Sequence, residues 1–169
     1  MRSISVNLIV AIAICIAVAG VSAAETQHIV GRIVDVSDGD TLTLLDTGKT
    51  PHKIRLDGID APEKGQPFGN RSTHSLSDLA FGREAQADCP KIDRYNRRVC
   101  KVIVDGIDVG LEQIKRGMAW VFVRYLKELE PDRREAYIAA EVVARAERWG
   151  LWREPSPLAP WEFRQQQRD

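Results

Sequence analysis

From residue 27 onward, side chains alternate loosely. Ile29, Gly31, Ile33 and Asp35 fall on one side, and Val30, Arg32, Val34 and Val36 on the other. With its β-branched content this stretch predicts a first strand reaching Val36. Two more β-rich runs, 41–45 and 53–56, flank the turn-forming cluster Asp46-Thr47-Gly48-Lys49. A hairpin centred near Thr47-Gly48 pairs residues whose numbers sum to about 95 to 97. That register sets Asp40 opposite Arg55 or Asp57, with Asp60 and Glu63 just past the same end. The Gly- and Pro-rich stretch 63–71 reads as a loop. Residues 72–80 carry Leu76, Leu79 and Ala80 at helical spacing, with Gly82 as the stop.

The stretch 83–89 supports two readings. Glu-Ala-Gln-Ala favours a helix by propensity, whereas alternation of Ala85, Ala87 and Cys89 suits a strand. The strand is adopted, because a helix would leave Cys89 badly placed to meet Cys100. Residues 98–104 form a further strand, and Asp105-Gly106 a turn. A short helix over 110–116 turns Leu111 and Ile114 inward and closes at Gly117. The apolar run 118–125 predicts another strand. Pro131-Asp132 then opens the longest helix, since proline suits the first helical position and aspartate complements the dipole. Its inward residues are Tyr137, Ile138, Ala140, Ala144 and Trp149. Glu141 and Arg145 make an i,i+4 pair, and Gly150 ends the helix. Residues 153–169, proline-rich with a polar end, read as a tail that Trp152 and Trp161 could pin. About five short strands with inserted and appended helices predict an α+β fold built on a small barrel of the oligonucleotide-binding type.

Length and composition narrow this picture. The chain has 169 residues, enough for one domain with a core. Arg2, an apolar run over 8–19 and the small residues Val21-Ser22-Ala23-Ala24 have the form of a secretory signal peptide over 1–24. The expected organisation is therefore a leader, a domain over 25–152 and a tail, with no stable membrane association after cleavage and an address in the periplasm or outside the cell. The leader holds one of the 24 basic residues and none of the 24 acidic ones, leaving 23 against 24 and a net charge of −1. Broad electrostatic capture of a polyanion is excluded, so local arginines or a metal must do the holding. Cys15 lies inside the leader. Cys89 and Cys100 remain, and in an exported chain such an isolated pair predicts a disulfide worth roughly 2–3 kcal/mol.

The hairpin end gathers Asp40, Asp60 and Glu63 beside Arg55. Crowded carboxylates repel one another, and a hard cation bound by their oxygens relieves that repulsion. With no His or Cys nearby in the sequence, the pattern points to a calcium-type site next to a phosphate-gripping arginine.

Four ordered motifs, VSDGDTLTL, IRLDGIDAPE, DRYNRRV and the Gly-Met-Ala-Trp-Val segment, resemble the thermonuclease (staphylococcal nuclease-like) family over residues 28–152. The resemblance implies a five-stranded oligonucleotide-binding barrel with three helices and a monomeric Ca²⁺-dependent nuclease. Its substrates would be DNA and RNA, cut at the 5′ P–O bond to leave 3′-phosphates. It implies Asp40, Asp60 and the carbonyl of Ala61 as calcium ligands, with Asp38 as a supporting carboxylate. It further implies Arg55 and Arg97 on the phosphate, Glu63 as general base, and Tyr95 and Tyr125 as nucleotide contacts. Asn96 replaces the family's usual glycine, Val123 an aromatic, and Gly110 a common Asn helix cap. Arg98 competes with Arg97 for its role. The rival readings are a non-catalytic barrel that binds nucleic acid and a calcium-binding structural protein.

Overall fold

The alternation at the start of the chain becomes β1 (Gln27–Val36) in the computed structural model, which describes residues 26–168. The signal peptide and Cys15 lie outside the described residues. Ile29 and Ile33 are buried while Val30 and Val34 are exposed. A bulge between Ile33 and Asp35 breaks the period, so Asp35 is exposed and bonds Ser37 instead of joining Ile33.

The hairpin β2 (Thr41–Asp46) and β3 (Pro51–Leu56) runs in the expected register, from Thr41↔Arg55 to Leu45↔Pro51. Asp40 lies one step beyond the Thr41–Arg55 pair, where its carbonyl accepts the Leu56 N–H at 2.8 Å. After the two-residue β4 (Ile59–Asp60), helix α1 (Gly69–Ala80) begins three residues earlier than its apolar spacing indicates. The ambiguous stretch is a strand, β5 (Glu84–Ile92), and it pairs with both β1 and β6 (Arg98–Val104). Cys89 and Cys100 are bonded across β5 and β6. A parallel pairing of β3 with β6 closes a five-strand barrel in the order β3-β2-β1-β5-β6. Ile33, Leu42, Leu44, Ile54 and Leu56 fill it.

Short β7 (Ile107–Asp108) leads into α2 (Val109–Lys115). Asp108 caps this helix by accepting the Gly110 and Leu111 N–H groups, so the cap lies two residues before Gly110. A Cβ at Gly110 would stand 2.8 Å from the Tyr137 hydroxyl, which explains the glycine.

Further expectations need correction. The run 118–125 is a strand only at β8 (Trp120–Val121), and a 3₁₀ turn, Val123–Glu128, follows. Its partner β4 is two residues long, so β-propensity finds no further ladder to join. The long helix α3 (Pro131–Ala146) stops short of Trp149, because Arg148 turns left-handed (φ 56°) ahead of Gly150. Tyr137 and Ala144 are buried as expected, but Ile138 and Trp149 are exposed. The segment read as a tail is ordered into α4 (Pro160–Gln166). Trp152 meets Trp120 edge-on at 5.1 Å, and Trp161 stacks on Phe122 at 5.8 Å. No helix among the described residues is long and apolar enough to cross a membrane.

Candidate active site

The site lies at the end of the β2–β3 hairpin, and its shape begins with close packing. A Cβ at Gly39 would stand 2.8 Å from the Ala61 side chain and would strike Ser72, so only glycine lets the Asp38-Gly39-Asp40 turn press against α1. Gln113, fully buried on α2, donates to the Gly39 carbonyl at 2.8 Å and to the Ser72 carbonyl at 3.1 Å. The Asp38 carboxylate accepts the Asp40 N–H at 3.0 Å. These bonds fix the backbone from which Asp40 projects.

Asp40 and Asp60 are both buried. Arg55 forks between them, with Nη1 on Asp40 and Nη2 donating to Asp60 Oδ1 at 2.8 Å. The other contacts of Asp40 are the Ala61 N–H, donated at 2.8 Å, and the Thr41 hydroxyl at 3.1 Å. The Asp60 backbone is set by its pairing with Trp120 in the β4–β8 ladder. Burial presses the Arg55 pKa down, opposed by the charge of Asp60 and assisted by that of Arg97.

Arg97 reaches the same rim from the turn before β6, donating to the Thr41 hydroxyl at 3.3 Å. Asp93 builds that turn. Its Oδ1 accepts the N–H groups of Tyr95 and Arg97, and its Oδ2 accepts Arg97 Nε at 2.9 Å. Asn96 takes the left-handed conformation, φ 60°, that glycine would supply. Arg98 is directed away, to His52 at 3.2 Å and to Gln27, so Arg97 is the arginine that faces the carboxylates. Tyr95 is exposed, with the Arg94 and Arg97 guanidiniums over its ring at 4.8 and 5.5 Å. Tyr125 makes different contacts, packing on Phe122 and under Lys91.

Glu63 sits on the loop before α1. Its N–H donates to the Gln66 side chain at 3.0 Å, and a Cβ at Gly69 would run into its carbonyl. Its carboxylate is held by Arg164 of α4 at 2.5 Å, and the same guanidinium grips Asp60 at 2.7 and 3.2 Å. Sequence reasoning missed Arg164, Asp93, Gln66 and Gln113. For Asp93 a signal existed, because aspartate ahead of Tyr-Asn is an Asx-turn pattern. Arg164 is 104 residues from Asp60, and no local spacing announces that meeting.

Asp40 and Asp60 offer oxygen donors only, which suits a hard cation. Among the described residues no group of three or more His, Cys, Asp or Glu side chains could hold a metal ion. Carbonyl, water or substrate oxygens would have to complete the shell. Beside the carboxylates opens a cleft of about 420 Å³ whose lining includes Asp38, Glu63, Lys53, Lys64, Arg164 and Arg168. Four cations against two acids make it a place for a polyanion.

Comparison with known proteins identifies the family. The family described as "Staphylococcal nuclease homologue" matches residues 53–154, a stretch that ends before α4. An "Uncharacterized endonuclease" of Haemophilus influenzae is 37% identical over 147 residues, covering 87% of this chain and 79% of that protein. "Protein ParB" of Escherichia coli is 32% identical over 163 residues, covering 91% and 89%. A "Micrococcal nuclease" of Shigella flexneri is 34% identical over 143 residues, covering 79% of each.

Proposed function

We propose that this nuclease, which belongs to the staphylococcal nuclease homologue family, is an exported, monomeric, Ca²⁺-dependent enzyme that cuts DNA and RNA at the 5′ P–O bond and leaves 3′-phosphates. The observation that carries the proposal is the Arg55 fork between two buried aspartates, with Glu63 and Arg97 on the same rim. Asp40, Asp60 and the Ala61 carbonyl would hold the cation. When bound, Ca²⁺ would supply a hard positive centre that offsets charge gathering on the phosphate in the transition state.

This chain's side chains do the rest. Arg55, held between the aspartates, turns its remaining N–H donors to the phosphate, and Arg97 approaches from the other side of the barrel seam to meet the growing charge. Glu63 orients a water and accepts its proton as the water oxygen bonds to phosphorus. The bond to the 5′-oxygen breaks in line, and that oxygen takes a proton from solvent. Tyr95, exposed beside Arg97, is placed to stack on a base, while Tyr125 would meet the strand farther along.

Incubating the protein with plasmid DNA tests the reading directly. Calcium should support cleavage, a chelator should abolish it, and the product 5′ ends should accept label from a 5′-hydroxyl kinase without prior phosphatase treatment. Cleavage that persists in the chelator overturns calcium dependence. The amino terminus of exported protein, read by mass spectrometry, checks the leader.

A further inference from the structure

Arg164 occupies the open edge of the carboxylate cluster. Its guanidinium donates to both oxygens of Asp60, at 2.7 and 3.2 Å, and to Glu63 at 2.5 Å. Contacts other than these ion pairs anchor α4. The Gln66 amide donates to the Leu158 carbonyl at 2.6 Å, Ala159 is buried among Trp120, Leu151 and Trp152, and Trp161 stacks on Phe122. The helix therefore delivers the arginine to the acids.

A divalent ion that binds Asp60 needs the carboxylate oxygens on which Arg164 now donates, Oδ1 and Oδ2 alike. Guanidinium and ion compete for the same lone pairs, so binding of one displaces the other. Arg55 is wedged between the aspartates with its side chain 13% exposed, whereas Arg164 is 35% exposed beside the cleft.

We propose that Arg164 is a positioning residue, a resident counter-cation that keeps Asp60 and Glu63 together and gives up its place when Ca²⁺ binds. It then turns into the cleft shared with Lys53, Lys64 and Arg168. The inference rests on the calcium reading of Asp40 and Asp60. Apparent affinity scales with the fraction of molecules whose site is open, so the closed contact weakens calcium binding.

Calorimetric titration of the whole chain with calcium chloride alone tests this. Arg164→Gln should bind calcium about tenfold more tightly than the natural chain, on the supposition of a contact closed about nine-tenths of the time. Arg164→Lys should restore weaker binding. Trp161→Ala, which loosens α4 without altering any charge, should tighten binding in the same direction. Equal or weaker calcium affinity in Arg164→Gln overturns the counter-cation role while leaving the calcium site standing. Absence of calcium binding in every form, with cleavage intact in chelator, overturns the site and this inference together.

Discussion

Arg55 and Glu63 act on the same proposed reaction but differ in what else depends on them. Removing Arg55 leaves buried Asp40 without a cationic partner and Asp60 with Arg164 alone, which is costly because the two carboxylates then face each other with one cation fewer. Arg55→Ala should lower kcat by about a thousandfold and stability by about 3 kcal/mol, read from initial rates and from a denaturant midpoint. Glu63 is more than a third exposed, and Glu63→Ala should cost a similar factor in kcat with stability within about 0.5 kcal/mol of the natural chain. Rim position alone suggests that both changes spare the fold, and burial separates them. Asp93 gives a prediction in pH. Burial tends to raise its pKa, but the Arg97 N–H and guanidinium and the Tyr95 N–H together hold it below the ordinary 3.8. A carboxyl depressed in the folded state contributes its full stability above the unfolded value and loses it as pH falls through the lower folded value. The stability gap between the natural chain and Asp93→Asn should therefore be widest above about pH 4 and shrink on acidification below it, in parallel denaturation series.

Strands and helices differ in how plainly the chain announces them. β1, β2, β3 and β6 were legible because each has alternation or β-branched content and a partner long enough to reward it. β5 is not legible from propensity; the need for Cys89 to meet Cys100 selects the strand. In the apolar run around Trp120 the opposite holds, since strong β-propensity ends after two residues for want of a partner. α4 had a start signal, Pro160 at the first helical position and Glu162 in the first turn, obscured by the prolines before it. Of the site, Asp40 and Arg55 meet through the hairpin register, and Asp60 and Glu63 follow within a few residues of its end, so their approach could be read from the chain. The arrival of Arg164 depends on aromatic packing between distant segments, and no periodicity encodes it. The disulfide that decided β5 supports its own prediction. Cys89→Ala with Cys100→Ala should cost about 2–3 kcal/mol in a denaturant midpoint, with the barrel retained because β5 still pairs on both sides.

At the scale of the molecule, near-neutral charge and a locally basic cleft set how a polyanion is held. Each lysine that touches a phosphate of a single strand contributes roughly 0.7 to the salt dependence of binding. Lys53→Ala with Lys64→Ala should flatten the slope of log affinity against log salt by about 1.4 for a single-stranded oligonucleotide, measured in calcium-free buffer by fluorescence anisotropy. An unchanged slope would place the strand elsewhere.

The parallel contact of β3 with β6 carries a further consequence. Arg55 pairs with Val99 inside that contact, and Arg97 immediately precedes it. The parts of the proposed site are thus distributed over both flanks of the contact that closes the barrel. A chain in which that contact is open holds its acids and one arginine on one flank and the second arginine on the other. Closure of the barrel and assembly of the proposed site are one and the same event.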